Sequence, residues 1–237
     1  MKIYENVEQG GSEWLSLRAG KITASEADAI LTPKFAAKES KAVDTYLGRK
    51  WAEKWQHAPI MDDDFFSAPV EWGKILEIEA KPTFKLLKDI ELKNVGFVES
   101  DDGLCGASPD ALTSDGGGLE IKSPLIQTHC KYLVAGVVPP DYIVQVHFSL
   151  YVTGLSHWYF MSYRRLMPPL ILRVERDEKI IGQIAEAVEL FKAKFDAGWT
   201  KIVAQNGGKE PVKQMTVEEA LAQDPPEPAR EMTDYKV

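Results

Sequence analysis

Long apolar runs are missing from this sequence, because none reaches the roughly 18 residues that a membrane-spanning helix requires. Residues 1–6 contain no apolar stretch of the kind found in secretory signal peptides. Cysteine is scarce, and Cys105 and Cys130 alone cannot build a disulfide framework. The histidines are scattered without the spacing of a zinc site, which argues against a zinc hydrolase. We therefore expect a cytosolic protein with reduced thiols.

A cationic excess is missing as well. The chain carries 28 basic and 36 acidic side chains, a net charge of −8, which argues against a protein that simply coats nucleic acid. The distribution is uneven, since residues 18–54 hold eight lysines and arginines against five acidic residues. Acidic residues collect at 62–64, which are three aspartates, and towards the C-terminus. A basic surface beside an acidic pocket suits a metal-dependent enzyme acting on DNA.

The length of 237 residues is sufficient for one domain with a sizeable core. We assign residues 1–205 to a single α/β domain, because apolar patterns of helical and strand type alternate along them. Residues 206–237 are polar and include Pro225, Pro226 and Pro228, so they have little apolar surface to bury. They are predicted to form a flexible tail.

The most informative stretch is Ser-Pro-Asp at 108–110, followed after a glycine-rich gap by Glu-Ile-Lys at 120–122. A hairpin would bring Asp110 next to Glu120 and Lys122, and the last two would share one face of a strand. Carboxylates are the hard oxygen ligands that Mg²⁺ prefers, and a lysine beside the metal can orient a water and neutralise phosphate charge. The pattern indicates metal-dependent cleavage of a phosphodiester bond.

A simpler interpretation is a surface hairpin whose Glu120 and Lys122 are solvated neighbours. It is the better explanation of a bare Asp…Glu-x-Lys pattern, which arises easily by chance. The apolar residues Leu119, Ile121 and Pro124 flank the two charged side chains here and favour a buried site.

Two segments upstream contribute further candidates. Residues 23–26, Thr-Ala-Ser-Glu, have the form of a capping box and predict a helix that begins just after Lys21. Its free N–H groups, with Arg18 directly before them, could bind a terminal DNA phosphate, although plain capping explains the pattern equally well. A second helix is predicted from about Val70, and Pro82 is expected to kink or end it.

The second helix carries Glu77 and Glu79, which cannot both face the core, so either could point to the metal. The remaining elements are predicted from apolar periodicity and turn residues. They are helices over 44–57, 126–136, 142–152 and 177–197, and strands over 95–112, 118–124, 157–163 and 170–175.

Several separated stretches together resemble the phage lambda exonuclease branch of the PD-(D/E)xK nucleases, which are viral recombination exonucleases. The resemblance covers roughly residues 7–195 and rests on the order and spacing of the stretches. It implies a restriction-endonuclease-like core, with a central mixed β-sheet flanked by helices. The matching stretches are 7–10, Trp14, 17–26, 72–74, Glu77, 108–110, 119–124 and 145–146.

The resemblance also implies an activity. Such enzymes digest linear double-stranded DNA from the 5′ end, release mononucleotides and leave a 3′ overhang for recombination by strand annealing. Hydrolysis would use two Mg²⁺ ions, for which Mn²⁺ can substitute. The implied partners are DNA ends, two further copies of the chain in a trimeric ring, and a single-strand annealing protein. The implied source is a phage or prophage, acting in the bacterial cytoplasm.

Site residues follow from the resemblance position by position. Lys122 would serve the attacking water, and Gln145 matches an active-site glutamine. The implied metal ligands are Glu77, Asp110, Glu120 and the carbonyl of Ile121. The implied contacts to DNA and its 5′-phosphate are Arg18, Ser25, Ser108 and Lys34.

One of these contacts departs from the family pattern, because Lys34 stands nearest to the position of an arginine. Lysine keeps the charge but lacks the two-pronged guanidinium, so a preference for a 5′-phosphate is less firmly implied. Two alternatives also stay open. One is an endonuclease on the same core, and the other is a non-catalytic protein that binds DNA ends.

Overall fold

The computed structural model describes residues 1–60 and 68–212, apart from the side chains of 68–72 and 74. The acidic triplet at 62–64 and residues 213–237 of the predicted tail lie outside the described residues. The division into a domain over 1–205 and a tail therefore stays a prediction.

The described strands form two mixed sheets flanked by helices, which confirms the predicted α/β class. Two sheets replace the single central sheet that was expected, because the chain crosses between them at 94–96 and again at 108–110. One sheet has the order β1 (Lys2–Tyr4), β4 (Phe97–Glu99), β5 (Cys105–Ala107), β2 (Ile22–Thr23). The other has the order β3 (Leu92–Lys93), β6 (Ala111–Thr113), β7 (Gly118–Lys122), β8 (His157–Ser162), β9 (Leu170–Glu175). Strands β2 and β5 run parallel, as do β7 and β8, and the other neighbours run antiparallel.

The helices follow the predicted apolar patterns, with bounds that differ by several residues in places. The helices are α1 (Ser12–Arg18), α2 (Lys41–Gln56), α3 (Ala68–Lys88), α4 (Ile126–Ala135), α5 (Pro140–Thr153) and α6 (Glu178–Gln205), with a 3-10 helix at Ala24–Ala29. Helix α5 starts with Pro140 and ends before Gly154, whose φ of +67° is the left-handed conformation that glycine adopts readily. No single described helix is long and apolar enough to cross a membrane, although the bent pair α4 and α5 meets that test when taken together.

The prediction of strand structure over 95–112 is confirmed, and the segment contains β4, β5 and the start of β6. A tight turn separates β4 from β5. In it the N–H of Gly103 donates to the carbonyl of Ser100 at 3.0 Å, and Gly103 has a φ of +72°. Glycine tolerates this conformation without strain, so the chain reverses there.

The predicted capping box is wrong. Thr23 precedes a 3-10 helix, and its side chain makes no capping hydrogen bond to the backbone. Its hydroxyl donates instead to Glu26 at 3.1 Å, and Glu26 is drawn towards Lys50 at 2.8 Å and Tyr46 at 3.1 Å. The 3-10 helix therefore lacks the predicted side-chain cap, and phosphate binding at its start stays a prediction.

Helix α3 continues through Pro82, so the proline does not end it, and a kink at this position stays a prediction. Pro82 is exposed, and the nearby Ala80 and Phe84 are fully buried against Leu119 and Ile121 of β7. This packing on both sides of the proline outweighs the loss of one backbone hydrogen bond.

Strand β7 lies between two helices. Its apolar residues Leu119 and Ile121 face the cluster under α3. Its charged residues alternate with them and face α5, where Gln145 contacts Glu120. The alternation of the strand thus directs its two functional side chains into the interior between the sheet and α5.

Candidate active site

The hairpin of β6 and β7 brings the two carboxylates of the motif together. Ala111 pairs with Leu119, the N–H of Asp110 donates to the carbonyl of Leu119 at 3.0 Å, and the N–H of Ile121 donates to the Asp110 carboxylate. Glycine is needed at the start of β7, because a Cβ on Gly118 would lie 2.3 Å from the Trp158 ring. The local sequence therefore holds Asp110 beside β7.

Glu120 is the centre of a polar cluster. Its Oε1 atom lies 2.6 Å from Lys122 Nζ and accepts a hydrogen bond from Gln145 Nε2, also at 2.6 Å. The Lys122 ammonium group lies 5.1 Å from the centre of the Tyr142 ring, a cation–π distance. The structure thus joins Asp110, Glu120, Lys122 and Gln145, which the sequence separates by up to 35 positions.

The electrostatics of the cluster reflect its burial. Burial raises the pKa of Asp110 well above its ordinary value, and the charges of Glu120 and Glu77 raise it further. Burial alone would lower the pKa of Lys122, but the Glu120 carboxylate outweighs it and the pKa is raised. Lys122 is therefore a cation, and Asp110 lies in a concentration of negative charge that a further cation would relieve.

Glu77 is the carboxylate of α3 that lies near Asp110. Its Oε1 atom pairs with Lys81 at 2.7 Å, and its charge contributes to the raised pKa of Asp110. Glu79 instead accepts hydrogen bonds from Arg165 and Tyr163. The geometry agrees with the choice of Glu77, whose role as a ligand stays a prediction.

The donor set suits a hard divalent cation. Glu77, Asp110 and Glu120 offer carboxylate oxygens, which Mg²⁺ and Mn²⁺ prefer. No group of three His, Cys, Asp or Glu side chains in the described part of the chain is already arranged as a ligand shell. Glu77 and Glu120 are each paired with a lysine through Oε1, so a metal would compete with that lysine for the carboxylate charge.

A second polar group lies around Arg18. Its guanidinium donates to Ser25 at 3.1 Å, to Thr23 at 3.2 Å and to Ser108 at 3.4 Å. The same group lies 4.3 Å from the Trp14 ring centre, and the indole N–H of Trp14 donates to Ser108 at 2.9 Å. Burial lowers the pKa of Arg18. Three hydroxyls converge on a partly desolvated guanidinium, which is the chemistry that binds a phosphate.

One cavity of about 450 Å³ connects the two groups. Its lining includes Asp110, Glu120, Lys122 and Gln145 of the first group and Arg18, Ser25 and Ser108 of the second. The cavity can therefore hold a metal-bound phosphate and a second phosphate of the same molecule.

Lys34 does not line this cavity. It is exposed beside the buried Phe35, whereas Arg49 and Lys50 of α2 supply cations to the cavity wall. The contact of Lys34 with phosphate stays a prediction that this cavity does not support. The cavity lining favours Arg49 as the cation, because its guanidinium has the two-pronged shape that lysine lacks.

Arg49 and Lys50 belong to an ion network with Glu26 and Glu53. Lys50 is only 2% exposed and bonds to Glu26 at 2.8 Å and Glu53 at 2.9 Å, while Arg49 bonds to Glu53 at 3.0 Å. Burial acts to raise the pKa of Glu26, but the charge and hydrogen bond of Lys50 and the charges of Arg18 and Arg49 together outweigh it, and the pKa is lowered. Tyr46, Lys50 and Glu53 lie on one face of α2 and are all buried. Their spacing of three and four residues is the pattern in the sequence that could have indicated this shared face.

Comparison with protein families gives one match. The model of the YqaJ-like viral recombinase domain matches residues 13–156, which include the metal-ligand candidates, Lys122, Gln145 and the group around Arg18. No curated protein matches the chain at a comparable level of significance.

Comparison with solved structures gives related nucleases. The alkaline exonuclease LHK-Exo from Laribacter hongkongensis is 26% identical, with a TM-score of 0.74 over 84% of this chain and 99% of the exonuclease. The structure of LHK-Exo in complex with dAMP matches with a TM-score of 0.73 at the same identity and coverage. A phage-related exonuclease from Haemophilus somnus 129PT, 13% identical, shares the fold with a TM-score of 0.59 over 77% of this chain and 96% of that one.

Proposed function

We propose a specific activity for this chain, which belongs to the family of the YqaJ-like viral recombinase domain and has the fold of the alkaline exonucleases. Both findings support a nuclease role in recombination. The chain is a Mg²⁺-dependent 5′-to-3′ exonuclease that degrades one strand of linear double-stranded DNA to mononucleotides and leaves a 3′ single-stranded overhang. The observation that carries this proposal is the single cavity shared by the carboxylate cluster and the Arg18 group. A similar exonuclease forms a complex with dAMP, a mononucleotide, which agrees with the proposed product.

In the proposed mechanism Asp110 and Glu120, with Glu77 and the Ile121 carbonyl, would hold two Mg²⁺ ions. Bound there, Mg²⁺ or Mn²⁺ would lower the pKa of a water and neutralise charge on the phosphate. The Lys122 ammonium group, 2.6 Å from Glu120 Oε1, orients the attacking water and stabilises phosphate charge. Gln145 holds Glu120 in its orientation through their 2.6 Å hydrogen bond.

The group around Arg18 sets the polarity of digestion. Arg18, with Ser25 and Ser108, binds the terminal 5′-phosphate, so the bond one nucleotide inwards lies at the carboxylate cluster. Arg49 adds a second guanidinium to the same cavity wall. This arrangement releases nucleotides one at a time from a 5′ end.

The test is release of acid-soluble nucleotide from linear duplex DNA with Mg²⁺, Mn²⁺ or EDTA. The substrates are 5′-phosphorylated and 5′-hydroxyl duplexes and a closed circle. We expect linear DNA alone to be digested, fastest with a 5′-phosphate, and no release in EDTA. Lys122→Ala should abolish turnover because the ammonium at the scissile phosphate is lost, whereas Lys88→Ala, at an exposed lysine of α3, should be unaffected.

A second variant tests phosphate binding. Arg49→Gln should narrow the rate difference between 5′-phosphate and 5′-hydroxyl substrates, and Lys34→Gln should leave it unchanged. Cleavage of the closed circle would identify an endonuclease on the same core, and binding of DNA ends without cleavage would identify a non-catalytic protein. Full activity of Lys122→Ala would contradict the assigned site.

The partners and location belong to the same proposal. A single-strand annealing protein would bind the exposed 3′ strand. This would take place in the bacterial cytoplasm during phage or prophage recombination. Co-purification of a neighbouring phage-encoded annealing protein with the chain, resistant to nuclease treatment, would support this.

A further inference from the structure

Gln9 lies where the two sheets meet. Its side-chain nitrogen donates to the carbonyl oxygens of Val95 at 3.1 Å and Pro109 at 2.9 Å. Val95 belongs to the segment between β3 and β4, and Pro109 to the segment between β5 and β6. These are the two crossings between the sheets in the hairpin region, so both hydrogens of one amide hold the crossings together.

The N-terminal segment fits this junction closely. The N–H of Gly96 donates to the carbonyl of Tyr4 at 2.9 Å, and a Cβ on Gly96 would lie 2.1 Å from the carbonyl oxygen of Val7. Trp14 adds a second tie, since its indole N–H donates to the Ser108 hydroxyl at 2.9 Å. The residues just before Asp110 are therefore fastened from the N-terminal side of the chain.

Asp110 is held on its other side by β7, through its own N–H and that of Ile121. Gln9 and Asp110 both border the active-site cavity and a second cavity of about 440 Å³ that also contains Glu77. Asp110 and Gln9 thus both lie between the two cavities and line each of them. The orientation of the carboxylate depends on the backbone that Gln9 fastens.

We infer that Gln9 is a positioning residue that fixes the Asp110 backbone, and through it the carboxylate, for binding a divalent metal. The inference rests on the proposed function, in which Asp110 is a metal ligand. Groups that hold a metal ligand in place contribute to metal affinity, and their loss typically costs 10–100-fold. Gln9 does so through a main-chain carbonyl, without contacting the metal.

The experiment compares Mn²⁺ binding by wild type and Gln9→Met in the full chain without DNA, from the electron paramagnetic resonance signal of free Mn²⁺. Methionine has nearly the same length and no donor, and Gln9 is exposed, so the fold should be retained. We expect about tenfold weaker binding. Nuclease activity lost at low Mn²⁺ should return at saturating Mn²⁺, which a purely structural defect would not produce.

The matched control is Glu8→Gln, because Glu8 is exposed and borders the same second cavity. It should bind Mn²⁺ as the wild type does. Gln9→Asn keeps the amide but is one methylene too short to reach both carbonyls, and it decides the question if Gln9→Met does not fold.

The outcomes separate the two proposals. Unchanged Mn²⁺ affinity in a folded Gln9 variant would overturn the inference and leave the proposed function standing. Wild-type protein that binds no Mn²⁺ and cleaves no DNA would overturn the proposed function, and the inference with it.

Discussion

Two aspartates of one hairpin have opposite electrostatic environments. Asp110 is buried near two other carboxylates, and its pKa is raised, first by burial and then by Glu120 and Glu77. Burial also acts to raise the pKa of Asp115, but hydrogen bonds from Thr113 and Tyr159 and the nearby His157 outweigh it, and its pKa is lowered. A bound cation would relieve the negative charge around Asp110, whereas hydrogen bonds within the fold already stabilise the charged form of Asp115.

This contrast predicts opposite effects on stability in metal-free protein. A raised folded-state pKa means that Asp110 favours folding at low pH and that this contribution is lost as pH rises through the raised value. Asp110→Asn should therefore unfold at higher urea concentration than wild type at neutral pH in EDTA, with a gain that disappears towards pH 4. It should also abolish cleavage.

Asp115→Asn is the matched control. The lowered pKa of Asp115 stabilises the fold above its ordinary value, and that contribution is lost as pH falls through the folded-state value. This variant should be destabilised at neutral pH and approach wild type in acid. A neutral-pH loss of stability in Asp110→Asn would show that the buried carboxylate is satisfied without metal.

Helix α3 shows how an element can override a local rule. Proline inside a helix removes a backbone hydrogen bond and costs about 3 kcal/mol or more. The chain tolerates this at Pro82 because Ala80 and Phe84 bury their side chains on either side. Glu77 lies one turn before the proline, so it is held by an intact part of the helix.

Replacement of this proline should stabilise the protein. Pro82 is exposed, so Pro82→Ala loses no core packing and restores a donor to the helix. We expect the free energy of unfolding in urea to rise by about 1–3 kcal/mol, with unchanged nucleotide release. A loss of stability would mean that Pro82 itself contributes to the packing of α3 against β7.

Elements made by local residues were predicted well. The strand over 170–175 matches β9, the predicted start of β8 is correct, and Gly154 ends α5 as expected. The carboxylate hairpin was predicted for the same reason, because its turn lies within about ten residues of both strands. The error at 23–26 arose because contacts with distant residues changed a local preference.

At the scale of the whole molecule, one surface feature is an exposed apolar stripe on α3. Its side chains are Ile75, Ile78 and Leu86, which are 47%, 74% and 83% exposed. Their spacing places them on one helical face, with Pro82 between them. The trimeric ring that the family resemblance implies needs such a surface, and we propose this stripe for it. A ring around DNA would keep the enzyme on its substrate without tight contacts.

Sedimentation velocity tests this assembly. We expect three times the 26.5 kDa chain mass at micromolar concentration. Ile78→Glu should yield folded monomers because it places a charge in the stripe, whereas Leu166→Glu, at a leucine 99% exposed elsewhere, should leave the trimer intact. A monomeric wild type would remove the ring from the proposal.

The sequence by itself determined the class of the fold and the core of the site. Asp110, Glu120 and Lys122 lie close together along the chain, so a turn and the two-residue period of a strand suffice to align them. The family resemblance implied Gln145, but only the tertiary structure showed its contact with Glu120. Arg49 reaches the cavity from a helix distant in the sequence, and Gln9 joins two crossings between the sheets, so no local pattern could place these two residues. The positions of all three residues depend on the packing of α2, α5 and the N-terminal segment around the hairpin, which the whole chain sets at once.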